Sequence, residues 1–63
     1  MSNIIIEVQS PVSGAWTRVT QCTNHAPTIR QHFAGALNGH YWASKVRAID
    51  ENTKQLIDMD IRS

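Results

Sequence analysis

Apolar side chains recur along this chain with two different spacings, close to two in the flanks and close to 3.6 in the middle. The segment Asn3–Val8 holds three consecutive isoleucines and a valine. These β-branched side chains sit well on a pleated sheet. Alternation along the strand puts Ile4, Ile6 and Val8 on one face and Ile5 and Glu7 on the other. Ser10-Pro11-Val12-Ser13-Gly14 follows as a five-residue loop with turn residues that suit an antiparallel return. Ala15–Cys22 then predicts a second strand with two mixed faces: Trp16, Arg18, Thr20 and Cys22 on one, Ala15, Thr17, Val19 and Gln21 on the other. Val19 is expected toward the core and Trp16 with Arg18 away from it, since the opposite choice would bury Arg18.

Asn24–Gly39 carries the helical period. Ala26, Ile29, Phe33, Ala36 and Leu37 fall on one side at about 100° per residue, and Thr28, Gln31, Gly35 and Asn38 on the other. Asn24 is the expected N-cap, Pro27 fits the first turn where its missing donor costs nothing, and Gly39 is expected to end the helix in a left-handed cap. His40–Ser44 turns the chain into a third strand, Lys45–Ile49, with Val46 and Ala48 on one face and Lys45, Arg47 and Ile49 on the other. Asp50–Lys54 is a polar turn. Gln55–Ile61 alternates as a fourth strand, with Ile57, Met59 and Ile61 expected inward and Leu56, Asp58 and Asp60 outward. The order is β-β-α-β-β, which predicts an α+β fold: a four-stranded antiparallel sheet with one helix packed on one face, forming a single compact domain over residues 1–63. The spacing leaves the strand order open.

Size changes the picture next. A chain of 63 residues buries only about 60% of its unfolded surface, and a lone core of that size seldom supplies more than about 3–5 kcal/mol. Cys22 is the only cysteine, so an internal disulfide is excluded and a second subunit becomes the expected staple, as a homodimer. The run Ile4–Ile6 is far shorter than a signal h-region, and no stretch approaches the ~20 apolar residues of a membrane span. A soluble, reducing, cytoplasmic setting without membrane contact is expected. The formal net charge of +1 decides little, but its distribution is uneven. Arg18, Arg30, Lys45 and Arg47 stand against Glu7 before residue 48; Asp50, Glu51, Asp58 and Asp60 stand against Lys54 and Arg62 after it. The balance is too weak to make nucleic acid the first reading.

One helix covers one side of a sheet, so the residues on the other side carry the functional signal. They are expected to be Ile5, Glu7, Trp16, Arg18, Lys45, Arg47, Ile49, Leu56, Asp58 and Asp60. Two readings stay open. In one, Arg18 and Arg47 pair with Asp58 and Asp60 across strands on a solvated face, each pair worth about 0.2–1 kcal/mol. In the other, an apolar patch rimmed by charge binds a partner through Trp16, Arg18, Lys45, Arg47, Ile49 and Leu56. Basic residues interleaved with aromatics give an alternative nucleotide or single-stranded nucleic-acid site: Trp16, Arg18, Tyr41, Trp42, Lys45 and Arg47. Against that, Tyr41 and Trp42 can simply close the core at the end of the helix.

Metal and catalysis fare less well. His25 and His32 lie two helical turns apart, roughly 10 Å along the axis, and Cys22 with His25 is half a site whose other half is missing. No metal and no cofactor are expected. Cys22 sits beside the helix start, where the dipole can lower a thiol pKa, but a nucleophile also needs a base and an orienting group. A buried or half-buried structural cysteine is the expectation. Asp58 and Asp60 share a strand face without a cleft, and the chain reads as a non-enzyme.

An opening β segment, a capped helix of about four turns, a strand such as Lys45-Val46-Arg47-Ala48-Ile49-Asp50, a polar turn and a last strand such as Leu56-Ile57-Asp58-Met59 resemble the architecture of small phage and prophage accessory proteins, anti-CRISPR inhibitors among them. Here the opening is a complete hairpin where that pattern has a single strand. The resemblance implies a stoichiometric binder that blocks or sequesters a host defence or regulatory component through charged sheet or loop surface. A third reading, from another class, is a structural subunit that assembles through its hairpin edges.

Overall fold

The computed structural model describes residues 3–62; positions 1, 2 and 63 of the expected domain lie outside the described residues. Its elements are β1 (Asn3–Gln9), β2 (Trp16–Thr23), α1 (Ala26–Gly39), β3 (Lys45–Asp50) and β4 (Leu56–Ile61). The β-β-α-β-β order and the single four-stranded antiparallel sheet are those expected, and the strand order is β2-β1-β3-β4. The two hairpins therefore lie side by side, with α1 carrying the chain over β1 to reach β3. The two most buried strands, β1 and β3, occupy the centre.

Ile4, Ile6, Val8, Val46 and Ala48 form the floor of the core, and Ile29, Phe33 and Ala36 of α1 press onto it. Each large side chain buried there contributes about 1.5–3 kcal/mol. Ala26, expected on the same helical side, is exposed. The β1–β2 hairpin closes where Ser10 N–H donates to Ala15 O (3.2 Å) and Gly14 N–H to Ser10 O (2.9 Å). Gly14 there has φ +73°, a left-handed conformation that glycine adopts without a Cβ penalty.

Both ends of α1 differ from expectation. The N-cap is His25, in an extended conformation, and not Asn24; its Nδ1 lies 3.0 Å from Thr28 Oγ1. Gly39 stays helical and does not adopt the left-handed cap. The last carbonyls are satisfied by side chains instead. His40 Nδ1 donates to Ala36 O (2.8 Å), and Arg62 Nη2 donates to Leu37 O and His40 O. Arg62 Nε also donates to Ala43 O (2.9 Å), and its backbone N–H to Ser44 O (2.8 Å). A cation from the far end of the chain thus closes the negative end of the helix dipole, which removes the need for glycine to do so.

Two β-bulges decide which side chains face away from the helix. Between β1 and β2, Ile6 lies opposite Thr20 but Glu7 lies opposite Arg18, so Val19 is the extra residue. Trp16 and Arg18 keep their expected outward position. Beyond the bulge Thr20 and Cys22 are turned to the helix side, and Val19 and Cys22 both pack against the core. The face of Trp16, Arg18, Thr20 and Cys22 expected from alternation is split. Between β3 and β4, Ala48 lies opposite Asp58 but Ile49 lies opposite Leu56, which leaves Ile57 as the extra residue.

The consequence in β4 is an inversion. Leu56 faces outward as expected, but Met59 and Ile61 join it there, while Asp58 and Asp60 turn to the helix side. The expected inward placement of Ile57, Met59 and Ile61 is corrected accordingly: all three are exposed. Alternation assumes one residue per partner, and a bulge inserts two against one. Asp58 then meets Arg30 of α1 at 3.8 Å, an exposed pair worth about 0–1 kcal/mol.

Candidate functional site: the helix-free face of the sheet

The ladder registers lay this face out as three rows running from β2 across β1 and β3 to β4. The first is Trp16, Gln9, Lys45, Ile61; the second is Arg18, Glu7, Arg47, Met59; the third is Gln21, Ile5, Ile49, Leu56. Of the six residues expected outward as a partner site, Trp16 and Arg18 lie on β2, Lys45, Arg47 and Ile49 on β3 and Leu56 on β4, all on the side away from the helix. Met59 and Ile61 were missed because the bulge at Ile57 reverses the alternation. The adjacent apolar pair Leu56-Ile57, which no regular strand can put on one face, was the one sequence signal of that irregularity.

Charge on the face is arranged differently from the Arg–Asp pairs considered above. Arg47 Nη2 and Nε lie 2.7 and 2.8 Å from Glu7 Oε1, and the guanidinium carbon sits 4.0 Å from the centroid of the Trp16 ring. With side-chain exposures of 29% and 17%, Arg47 and Glu7 are screened less than a surface pair. Three candidate residues or their neighbours are thus tied to one another: Glu7 neutralises Arg47, and Arg47 covers one face of Trp16. Arg18 Nη2 donates to Gln21 Oε1 at 2.7 Å. Among the described residues no carboxylate forms an ion pair with Arg18 or Lys45.

The β4 column is apolar and open. Leu56, Met59 and Ile61 are 53%, 44% and 56% exposed, and they continue sideways into half-buried Ile49 and buried Ile5. Beside this column, β4 is an edge strand whose free side is occupied. Arg62 N–H bonds to Ser44 O, toward β3, so by alternation the amides of Met59 and Ile61 point away from the sheet. Asp58 Oδ1 accepts from Met59 N–H (2.8 Å) and Asp60 Oδ1 from Ile61 N–H (2.9 Å). Each carboxylate seals the outward donor that follows it.

The aromatic part of the nucleotide-type set separates. Trp16 lies on the sheet face, whereas Tyr41 and Trp42 lie in the corner between α1 and β3. Tyr41 is 88% exposed and closes no core; Ala43 is the buried residue of that corner. Trp42 packs edge-on to His40, with centroids 5.5 Å apart and planes at 87°.

Cys22 is half-buried against the core, and burial pushes its thiol pKa up, the opposite of what a nucleophilic thiolate needs. Folded Cys22 should be alkylated by iodoacetamide at pH 8 several-fold more slowly than in urea, where the thiol is free; equal rates would contradict its packing. The sign for stability follows. Folding holds the proton, so the contribution is full below the ordinary thiol pKa and is lost as pH rises through the higher folded value. Among the described residues no three His, Cys, Asp or Glu side chains cluster as a metal site, and no helix is long and apolar enough to cross a membrane.

No protein-family model, curated protein or solved structure matches the chain.

Proposed function

We propose that this chain is a non-catalytic binding protein that attaches through the helix-free face of its sheet, and that it works as an inhibitor or adaptor by covering a surface of a host protein. The observation that carries this reading is the open apolar column Leu56, Met59 and Ile61, with the Lys45 cation beside it on β3 and Arg18 at the far edge of the same face on β2. A contiguous apolar patch rimmed by charge is the usual form of a protein contact surface. Burying the exposed half of three such side chains is worth about 3–4 kcal/mol in all, enough to anchor an interface. The phage-accessory style of the chain agrees with a small stoichiometric blocker, and the raised thiol pKa of Cys22 favours a structural over a nucleophilic role.

The test is capture from bacterial lysate by the tagged chain and by its L56S/I61S variant, each with and without nuclease. Both substituted positions are exposed, so the fold is expected to persist. A protein retained after nuclease and lost with the variant is the expected result. Equal retention by both chains would overturn the assignment of this face. Recovery of nucleic acid alone, lost with nuclease, would favour the nucleotide-type reading, for which the exposed Tyr41 ring is the specific support.

A further inference from the structure

We infer that the occupant of this face is an acidic amphipathic helix of a partner protein, lying along β4. The inference rests on the binding reading above and names the chemistry of the partner. Spacing supports a helix: successive outward residues of a strand are about 6.6 Å apart, close to the roughly 6 Å between residues i and i+4 of a helix. Apolar side chains on one helical stripe can therefore meet Leu56, Met59 and Ile61 in turn.

Charge fixes the flank. Lys45 lies across from Ile61, and Arg47 across from Met59, but Glu7 already neutralises Arg47. The cation left beside the column is Lys45, and Arg18 adds positive charge from β2 at the far edge of the same face; the complement of that face is a partner whose flank beside the apolar stripe carries carboxylates.

Two other occupants fit less well. An added strand at the β4 edge needs the outward amides of Met59 and Ile61, which Asp58 and Asp60 seal. A second copy paired there antiparallel about a two-fold centred on Asp58, Met59 or Asp60 sets aspartate opposite aspartate, and like charges directly opposite are destabilising. A second copy laid face to face over it brings the same two cations and, on that face, only the Glu7 carboxylate that Arg47 already holds.

The experiment measures fluorescence anisotropy of two labelled helical peptides titrated with the whole chain. Both carry leucine at every third or fourth position along one stripe; one has glutamate along one flank of that stripe and the other has lysine. The Glu peptide is expected to bind about tenfold or more tightly than the Lys peptide, with the difference collapsing at about 1 M salt. The preference should reverse for R18E/K45E, with circular dichroism confirming its fold. Failure of the Glu peptide to bind, or equal binding of both peptides, overturns the inference. A dimer mass in sedimentation that the L56S/I61S variant abolishes overturns it in favour of a second copy. If the peptides fail while capture still returns a protein lost with L56S/I61S, the helix is wrong and the binding face stands; if capture also fails, the face itself is wrong.

Discussion

Phe33→Ala is expected to leave the chain mostly unfolded at 25 °C, with loss of the far-UV dichroism of the sheet and helix. Phe33 is 3% exposed and is the largest side chain that α1 lays on the floor of Ile4, Ile6, Val8, Val46 and Ala48. Truncating a buried phenylalanine removes its transfer energy and leaves a cavity, together about 3–5 kcal/mol. That equals the whole stability a core of this size ordinarily supplies. In a larger domain the same substitution would lower a melting temperature; here it consumes the margin. Ile29→Val, one methylene smaller on the same face, should cost about 0.5–1.5 kcal/mol and remain folded. Urea denaturation of the three chains checks the order. An F33A midpoint near that of the parent would mean that the helix does not seat on the sheet through this residue.

Asp50→Ala is expected to cost about 2–3 kcal/mol, from two charge-assisted bonds that hold the β3–β4 turn. Asp50 is buried at the end of β3, and its Oδ1 accepts from Asn52 N–H (2.8 Å) and Thr53 N–H (3.1 Å). Its backbone closes the same turn, with N–H donating to Gln55 O (2.9 Å) and Lys54 N–H donating to its carbonyl (2.8 Å). Lys54 is held at φ +62°, a conformation a non-glycine residue keeps only where surrounding bonds impose it. Alanine leaves two amides without their acceptor. Asparagine retains a neutral acceptor and should recover about half of the loss. Urea midpoints give the energies, and faster hydrogen exchange at Asn52 and Thr53 locates them. Since this turn sets the register of β4, the alanine variant should also weaken any partner that seats on Leu56, Met59 and Ile61. Protected amides at both positions in D50A would contradict the assignment.

Much of the fold was legible because local chemistry and global packing agree over most of the chain. Ile4, Ile6 and Val8 alternate as a half-buried strand and lie on the helix side. Ile29, Phe33 and Ala36 repeat with the helical period and are buried. Ser10–Gly14 carries turn residues and is a turn. The helix ends were less legible. Asn24 and Gly39 are good capping types, but His25 and His40 hold those positions, and the donor that closes the last turn comes from Arg62, more than twenty residues away. A local capping rule cannot see a partner supplied by the tertiary fold.

The candidate site divides in the same way. Trp16, Arg18, Lys45, Arg47, Ile49 and Leu56 face away from the helix as their positions in the strands suggest. That Arg47 is neutralised by Glu7 and stacked on Trp16, and so is not a free contact cation, depends on β1 lying between β2 and β3, and the hairpin pattern alone leaves that order open. Met59 and Ile61 belong to the site because a single extra residue, Ile57, reverses the strand after it.

The sequence by itself determined the number, type and order of the elements, the apolar floor and the helix that covers it, because hydrophobic periodicity and turn chemistry are local properties of the chain. The tertiary structure decided the strand order, the two bulges, the closure of α1 by Arg62, and the exposure of an apolar column whose edge is sealed by Asp58 and Asp60. Those features arise from pairings between residues distant along the chain, where one unpaired residue in a ladder turns every side chain beyond it to the opposite face.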